Sequence, residues 1–588
     1  MRLVALLVSI CLGSATSVAA CGPRAAPSQG SGAGIEGSAS SALRALFDEA
    51  WEHTLREDPV WASELGDLRY ADRWPDVSLP AVEKRRAYDR ALLERVSRIP
   101  RTQLSKHDAL SADLFRYELE TSIATQRFEL HLFPMNQRIG IQTADELTDA
   151  LPFETDAHFA AWNARLRAFP TYMTQTIALL DEGIRTGRTH PRVAMDRVVG
   201  QIEKQIVTDP ASSPFYAPYA KRPREDARAT EARQLIASGV VPAFERLRLF
   251  WRDRYLPACK GEVGAWQLPD GAAMYAQRVR AYTTTTLAPD AVHAIGLREV
   301  ARIRREMEQV KEATGFHGTL AEFFQFLRTD PKFFHADGEA LLVAYRALAK
   351  RIDPLLTKAF RRLPRQPYGV QAIPDNVAPD TTTAYYRVGA ADGSRAGTFF
   401  VNLYRPSSRP TWEMTALTLH EAVPGHHLQI ALAAEEEDLP KFRRHAPGYD
   451  AFVEGWALYA ESLGEELGAY ASPYDKFGKL TYEMWRAVRL VVDTGIHHLR
   501  WSRQRAIDFF LENTAKTELD VTNEVDRYAV WPGQALAYKI GELRIKELRA
   551  KREAALGPRF DLRAFHDAVL RNGPLPLDVL EREVLGER

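Results

Sequence analysis

The chain has 588 residues, 45% of them apolar, and its 77 Lys and Arg residues equal its 77 Asp and Glu residues. This balance provides no overall field that would favour nucleic acid or attract the chain to an anionic membrane surface, so we expect no nucleic-acid partner. After the amino terminus no apolar run reaches about 18 residues, which excludes a later membrane span.

The amino terminus is typical of a secretory signal followed by a lipid anchor. An apolar core at 3–12, within a signal peptide at 1–20, is too short to span a bilayer. Val18-Ala19-Ala20-Cys21 resembles a bacterial lipobox, so Cys21 would carry the lipid and residues 21–41, rich in Gly, Ser, Ala and Pro, would form a flexible linker. The alternative is an ordinary signal peptide with a chance cysteine. We expect a protein of the cell envelope, anchored in the periplasm or at the outer membrane.

Cysteine usage restricts how any metal site can be built. Cys11 lies in the signal and Cys21 would be acylated, which leaves Cys259 alone. No intrachain disulfide can then form, and a zinc site made of several cysteines is excluded. Any metal is expected to be held by histidines and carboxylates.

Most of the chain is predicted to be helical. Apolar residues recur at intervals of three and four in the segments 42–54, 81–96 and 108–124. A further helix is expected to begin at Pro289, where a missing N–H costs nothing. We place a loose boundary near residue 265, between an N-terminal helical region at 42–265 and a second helical region at 266–588. The first region contains no catalytic motif, so we expect it to wall a cleft.

Residues 365–404 are the least helical part of the chain. Two stretches rich in β-branched and aromatic residues, 384–388 and 398–403, are separated by a turn between Gly389 and Gly397 and predict a small hairpin. An exposed strand of this kind can pair with the backbone of a bound peptide. A purely structural hairpin is the alternative.

One short stretch carries three histidines and a glutamate within eight consecutive positions. His420-Glu421 begins like the zinc peptidase motif, in which two histidines four residues apart bind the metal and the intervening glutamate is the general base. Position four is Pro424, however, and the next histidines are His426 and His427. An undistorted helix would bring neither of them to a metal held by His420.

The sequence itself supplies a distortion. Pro424 cannot donate a hydrogen bond to the carbonyl of His420, and Gly425 permits almost any backbone angle. We therefore expect a kink or bulge that lets His420 share a metal with a later histidine. The alternative is a helix that ends near Val423, followed by a turn with two surface histidines.

A second helix is expected to start near Asp450 and to continue past Glu461. Glu454 borders the apolar stripe of this helix, beside Phe452 and Trp456, and a carboxylate in such surroundings needs a partner such as a dication. Glu461 follows two turns later on the same face. The alternative is that both acids belong to a solvated face.

Taken together, HEAVPGHHLQ at 420–429 and EGWALYAE at 454–461 resemble the bacterial DUF885 family, which includes many predicted lipoproteins. Further matches run through most of the chain after its first hundred residues; they include 282–287, 397–403, 493–498, 527–528 and 532–535. The family in turn is similar to gluzincin-type zinc peptidases, in which a glutamate from a following helix is the third zinc ligand.

This resemblance implies a mainly α, large multi-helix fold of zincin-like metallopeptidase architecture, with a small β-hairpin or sheet beside the metal helix. It implies that Zn²⁺ is bound by His420, His426 and Glu454, with Glu421 as the general base. His426 is preferred over His427 because similar peptidases often place glycine directly before the second zinc histidine. Region 266–588 would then be the catalytic region.

Groups that contact the substrate are expected in the hairpin and after residue 480. His498 and Tyr528 are candidate catalytic donors towards a developing oxyanion. Asn402, Arg527 and Tyr538 are candidates for binding the substrate. For each of them the alternative is a structural role, which is commoner for a lone histidine or tyrosine.

Three functions are compatible with these residues. The first is a zinc peptidase that hydrolyses peptides at the cell envelope through a metal-activated water. The second keeps the metal but cleaves a cell-wall or other amide, and the third is a non-enzymatic envelope lipoprotein whose metal site is structural or lost. Glu421 beside His420 favours hydrolysis, because a structural site has no need of a base. The sequence does not indicate an oligomeric state.

Overall fold

The structure is a computed structural model that describes residues 36–220, 226–374, 378, 382–390, 393, 395–445 and 448–586. The predicted signal peptide at 1–20, Cys21 and the linker up to residue 35 lie outside the described residues. The linker ends earlier than predicted, because residues 36–41 already belong to the first helix, α1 (Glu36–Glu57). Ala39 and Leu43 are buried one helical turn apart, so packing extends the helix through this Ser- and Ala-rich stretch.

Helices dominate the N-terminal region, as predicted. After α1 they are α2 (Pro59–Glu64), α3 (Leu79–Ser97), α4 (Lys106–Gln126), α5 (Asp156–Arg185), α6 (Arg192–Lys204), α7 (Ala217–Ala220), α8 (Ala227–Leu235), α9 (Val241–Phe250) and α10 (Leu256–Ala258). Two π-helical turns, Ile236–Val240 and Trp251–Tyr255, join α8, α9 and α10 end to end.

The second region is also helical apart from one small sheet. Its helices are α11 (Gly271–Thr283), α12 (Pro289–Ala313), α13 (Leu320–Thr329), α14 (Gly338–Ile352), α15 (Met414–Glu421), α16 (His426–Ala434), α17 (Lys441–Arg444), α18 (Asp450–Leu467), α19 (Pro473–His497), α20 (Arg503–Asn513), α21 (Glu518–Val530), α22 (Ala537–Leu556), α23 (Leu562–Leu570) and α24 (Leu577–Leu585). The helix predicted from Pro289 is confirmed. In the part of the chain that the structure describes, no helix is long and apolar enough to cross a membrane.

The sheet has three strands, β1 (Tyr368–Ala372), β2 (Ala384–Arg387) and β3 (Gly397–Val401). β2 and β3 form the predicted antiparallel pair, with Tyr386 opposite Phe399. β1, which was not predicted, pairs in parallel with the other side of β3. The strand order is therefore β1-β3-β2, and β3 lies in the middle rather than at an edge.

The main core surrounds the helices that carry the histidine motif. One cluster of buried apolar side chains contains Leu419 of α15, Leu428 of α16 and Trp456 of α18. The same cluster includes Leu114 of α4, on the other side of residue 265, so packing is continuous across the predicted boundary. Burial on this scale fixes the positions of α15, α16 and α18 relative to one another.

Two glycines set the distance between α18 and α22. A Cβ on Gly455 would lie 2.5 Å from backbone atoms of Gly541, and a Cβ on Gly541 would lie 1.8 Å from the carbonyl oxygen of Ala451. The backbones approach this closely because neither position has a side chain. This contact fixes the axial position of Glu454, the residue before Gly455.

Gly455→Ala is therefore expected to lower the free energy of unfolding by about 1–3 kcal/mol or more, because backbone rather than a flexible side chain must move. The matched control is Gly200→Ala in α6, where an added Cβ would meet nothing within 4 Å. That change is expected to be neutral or to stabilise by up to about 1 kcal/mol. Thermal unfolding of the two variants tests this expectation, and equal melting temperatures would contradict it.

Candidate metal centre

The histidine motif forms two helices separated by a tight turn rather than one kinked helix. α15 ends at Glu421, residues 422–425 form the turn, and α16 begins at His426. The Trp456 indole of α18 donates a hydrogen bond of 2.8 Å to the carbonyl of Pro424 and holds the turn in place. The predicted distortion thus occurs, but as a complete helix break.

Gly425 is essential to the geometry of this turn. A Cβ at this position would lie 1.9 Å from the carbonyl oxygen of His420 and 2.5 Å from that of Leu419. Only glycine lets the chain pass so close to the end of α15. As a result His426 begins α16 directly beside His420, and the two imidazole rings lie 4.8 Å apart, nearly perpendicular.

Glu454 of α18 lies against both imidazoles. Its Oε2 is 3.6 Å from Nε2 of His420 and 3.5 Å from Nε2 of His426. The three ligand atoms lie within 4.8 Å of one another. The structure therefore brings together the three residues predicted as metal ligands.

This arrangement passes two tests of fit for zinc. Bonds of about 2.0–2.2 Å to a tetrahedral ion give ligand–ligand distances of roughly 3.3–3.6 Å, which match the two measured contacts of Glu454. In addition, Oε2 of Glu454 is buried and has no hydrogen-bond partner among the described residues. A buried carboxylate oxygen without such a partner is costly unless it binds a cation.

Charge within the cluster is strongly coupled. Burial alone would lower the pKa of His420, but the contacts with Glu454 and Glu461 outweigh it and raise the pKa to about 9. Burial would likewise raise the pKa of Glu454, yet the two imidazoles hold it well below its usual range. The site is therefore electrostatically suited to a carboxylate that remains ionised next to positive charge.

Glu461 contacts Nδ1 of His420, the ring nitrogen that is not directed at Glu454. Its Oε1 lies 2.8 Å from Nδ1 of His420, and both side chains are buried. A carboxylate on the second ring nitrogen fixes the tautomer and orientation of a metal-binding histidine. The sequence pattern placed Glu461 on the same helix face as Glu454 but did not assign it this contact; its spacing of seven residues from Glu454 was the available signal.

His427 is excluded from the cluster by its own hydrogen bonds. Its Nε2 lies 3.0 Å from the carbonyl of Gln366, so this nitrogen carries the proton, and Nδ1 accepts from the Tyr386 hydroxyl at 2.8 Å. Both ring nitrogens are used to attach the sheet to α16. The structure thus places His426, and not His427, beside His420 and Glu454.

The cluster opens into a cavity of about 780 Å³, a volume typical of small-ligand sites. Glu421 is half-buried and lines this cavity together with His420. Arg138 and Glu64 of the N-terminal region also line it. The N-terminal helices therefore form part of its wall, as predicted.

Two of the predicted substrate-binding residues lie in the cavity. Tyr538 lines it; burial, together with the charge of Glu454, raises the pKa of Tyr538 to about 12, so its hydroxyl stays protonated and able to donate. Arg527 lines it too, but its guanidinium already donates to Glu524 and Gln534.

Three other predicted residues do not belong to the cavity lining. His498 lies at the surface and contacts Asp290, because α19 ends at His497 and the chain turns outward there. The Tyr528 hydroxyl is buried behind the cavity and donates to Glu524. The amide of Asn402, directly after β3, donates to the carbonyls of Ala378 and Thr382, which lie between β1 and β2.

Two cavity residues were missed from the sequence. Arg486 and Arg489 lie one turn apart on α19, and both are buried and line the cavity. Their signal was weak, because arginines on an amphipathic helix usually mark its solvated face. Here that face is covered by α21 and by the start of α22, which bring Glu524 and Tyr538 against it.

Solved structures resemble most of the chain, among them the following two. One, described as "the putative lipoprotein from Colwellia psychrerythraea", has 29% identity and a TM-score of 0.87, over 93% of this chain and 99% of that chain. The other, "a putative lipoprotein of unknown function from Shewanella oneidensis", has 16% identity and a TM-score of 0.71, over 94% and 100% respectively. The second likeness concerns the fold alone.

Among families, the model described as "Bacterial protein of unknown function (DUF885)" matches residues 59–584. This match covers both helical regions and every residue of the metal cluster. A comparison with curated proteins gives no significant match.

Proposed function

The chain belongs to the DUF885 family, and on this basis and the geometry of the metal centre we propose that it is a zinc-dependent peptidase of the cell envelope with a zincin-like architecture. The observation that carries the proposal is the convergence of His420, His426 and a Glu454 oxygen that, among the described residues, has no hydrogen-bond partner. All three lie at the wall of a cavity that Glu421 also lines.

His420, His426 and Glu454 would hold the metal, leaving the cavity side for water and substrate. When bound there, zinc would polarise a carbonyl group and lower the pKa of a water molecule. Glu461 fixes the ring of His420 through Nδ1, which keeps Nε2 directed at the cluster. Three protein ligands with an open fourth position are typical of catalytic rather than structural zinc sites.

Proton transfer is assigned to Glu421. Its carboxylate follows His420 directly in the chain and lines the same cavity, so it can accept a proton from an attacking water and return it to the leaving nitrogen. Tyr538 is the best-placed donor to the carbonyl oxygen that becomes negative, because it lines the cavity and stays protonated. Tyr538 thus takes the role first assigned to His498 and Tyr528.

Envelope localisation is supported by the lipobox-like Val18–Cys21 and by the description of both solved relatives as lipoproteins. Lipid attached to Cys21 would hold the catalytic region at a membrane surface. The substrate would then be a peptide that reaches the periplasmic side.

The proposal is tested with the purified protein and a mixed panel of short peptides, analysed by mass spectrometry. We expect cleavage that stops when zinc is removed by a chelator and returns when zinc is restored. Cleavage that is insensitive to the chelator, or the absence of cleavage from a fully zinc-loaded protein, would contradict it.

Glu461→Ala is expected to weaken zinc binding by about 10- to 100-fold, because His420 loses the group that orients it. The matched control is Glu465→Ala, one turn further along α18, where the carboxylate is exposed and pairs with Lys476. Zinc affinity is measured by competition with a chromophoric chelator. Equal affinities in the two variants would show that Glu461 does not position His420.

A further inference from the structure

One side of the cavity is formed by four arginines, Arg138, Arg486, Arg489 and Arg527, which we call the arginine wall. Arg486 and Arg489 project from α19, Arg527 from α21, and Arg138 from the N-terminal region. The wall adjoins the metal cluster: Arg486 lies 3.8 Å from Glu461, the carboxylate that contacts His420.

The wall carries more positive than negative charge. Arg138, Arg489 and Arg527 share a single carboxylate, Glu524, at 3.5, 3.0 and 3.0 Å. Burial would raise the pKa of Glu524, but Arg527 and Arg489 outweigh it and hold the pKa well below its usual range. Among the described residues no second carboxylate pairs with these three arginines. An excess of largely buried positive charge of this kind is stabilised by a bound anion.

Donor groups remain available on the two arginines of α19. Nε of Arg486 and Nη1 of Arg489 are buried, and neither has a hydrogen-bond partner within the described ranges. Both residues are more than nine-tenths buried. Orphaned guanidinium nitrogens at a cavity wall are suited to an incoming acceptor, because leaving them unsatisfied is costly.

Aromatic rings fix the orientation of these donors. The Arg489 guanidinium lies 4.5 Å from the centre of the Tyr538 ring, and that of Arg486 lies 4.8 Å from the Tyr482 ring. A guanidinium held in this way presents a rigid planar fork, which matches a carboxylate better than a single ammonium would.

We infer that the arginine wall binds the free C-terminal carboxylate of a short peptide, so that the protein removes one or two residues from the C-terminal end of its substrates. The inference rests on the peptidase function proposed above. An extended residue spans about 3.3–3.6 Å, and the wall adjoins the metal cluster through the contact between Arg486 and Glu461, so a carboxylate held by the arginines places a bond near the C-terminal end of the peptide at the cluster. A short peptide also fits into a cavity of this volume more readily than an internal segment of a folded protein does.

The test compares an N-acetylated pentapeptide that ends in a free acid with the same peptide as its C-terminal amide. We expect kcat/KM to be higher for the acid by about 10- to 100-fold, the worth of one or two charge-assisted hydrogen bonds, with loss of one or two C-terminal residues. In Arg489→Lys, which keeps a positive charge beside Glu524, this preference is expected to fall towards one. Arg365→Met removes an exposed arginine of the same cavity that pairs with Glu435 and should keep the preference of the parent protein.

Binding to the Glu421→Gln variant, measured by calorimetry, separates this inference from the proposed function. Tighter binding of the acid than of the amide supports the carboxylate site, whether or not either peptide is hydrolysed by the parent protein. If neither peptide is hydrolysed, only the proposed peptidase function is contradicted. Equal hydrolysis and equal binding of both peptides would overturn the inference and leave the peptidase function standing. Restored binding when the amide peptide ends in glutamate would also overturn it, because the wall would then recognise an acidic side chain.

Discussion

Glu421→Gln is expected to lower kcat by about 100- to 10,000-fold while the protein keeps its zinc. Glutamine has nearly the same shape and can still hydrogen-bond to a water molecule, but it cannot accept a proton. Glu421 is not one of the three residues whose ligand atoms converge, so its replacement removes the base without removing a ligand. Single-turnover assays on zinc-loaded protein, together with metal analysis, measure the two effects separately.

Glu435→Gln is the matched control for this change. Glu435 lines the same cavity but accepts hydrogen bonds from the backbone N–H groups of Arg365 and Gln366, at the far end of α16. It should retain activity close to that of the parent protein. A Glu421→Gln variant as active as this control would rule out Glu421 as the general base.

Glu454→Ala is expected to weaken zinc binding strongly, because it removes a proposed ligand. The effect should exceed the roughly 10- to 100-fold loss that is typical when a residue that only orients a ligand is removed. The substitution also leaves two imidazoles facing each other with no carboxylate between them. In the parent protein zinc should raise the melting temperature, because it binds the folded state. At a zinc concentration of about one hundred times Kd, the free energy of unfolding should increase by about 2.7 kcal/mol. In the variant this stabilisation should disappear at the same zinc concentration.

Asp450→Asn provides the comparison for Glu454→Ala. Asp450 lies one turn earlier on α18 and lines the same cavity, but its oxygens are not among the converging ligand atoms. Zinc should still stabilise this variant. Loss of zinc-dependent stabilisation in both variants would point to a general effect of negative charge in the cavity rather than to coordination by Glu454.

Elements with strong local signals could be predicted from the sequence. The helix at Pro289 has a favourable start and a regular apolar stripe, and β2 and β3 are neighbours in the chain. β1 was missed because it contains Gly369 and pairs in parallel with a partner distant in the chain. Pairing of that kind leaves no local pattern.

The residues of the candidate site also differ in whether the sequence alone predicted their place in the cavity. A metal shared by His420 and a later histidine could be expected from the break at Pro424-Gly425, whereas the choice of His426 over His427 and the ligand role of Glu454 followed from the family resemblance. His498, Tyr528 and Asn402 were misplaced because the direction of a lone polar side chain depends on tertiary packing. Of the arginine wall only Arg527 was a candidate from the sequence. The other three arginines could not be predicted for the same reason; Arg138 and Arg489, for example, meet only through Glu524.

Zinc content per chain, measured for the parent protein, His426→Ala and His427→Ala, tests the central claim most directly. The two histidines are adjacent, but only His426 faces Glu454, whereas His427 is bonded to Tyr386 and Gln366. With an unchanged helical circular dichroism spectrum in all three, the account predicts about one zinc in the parent and in His427→Ala, and little in His426→Ala. No zinc in the parent, or full occupancy in His426→Ala, would contradict it.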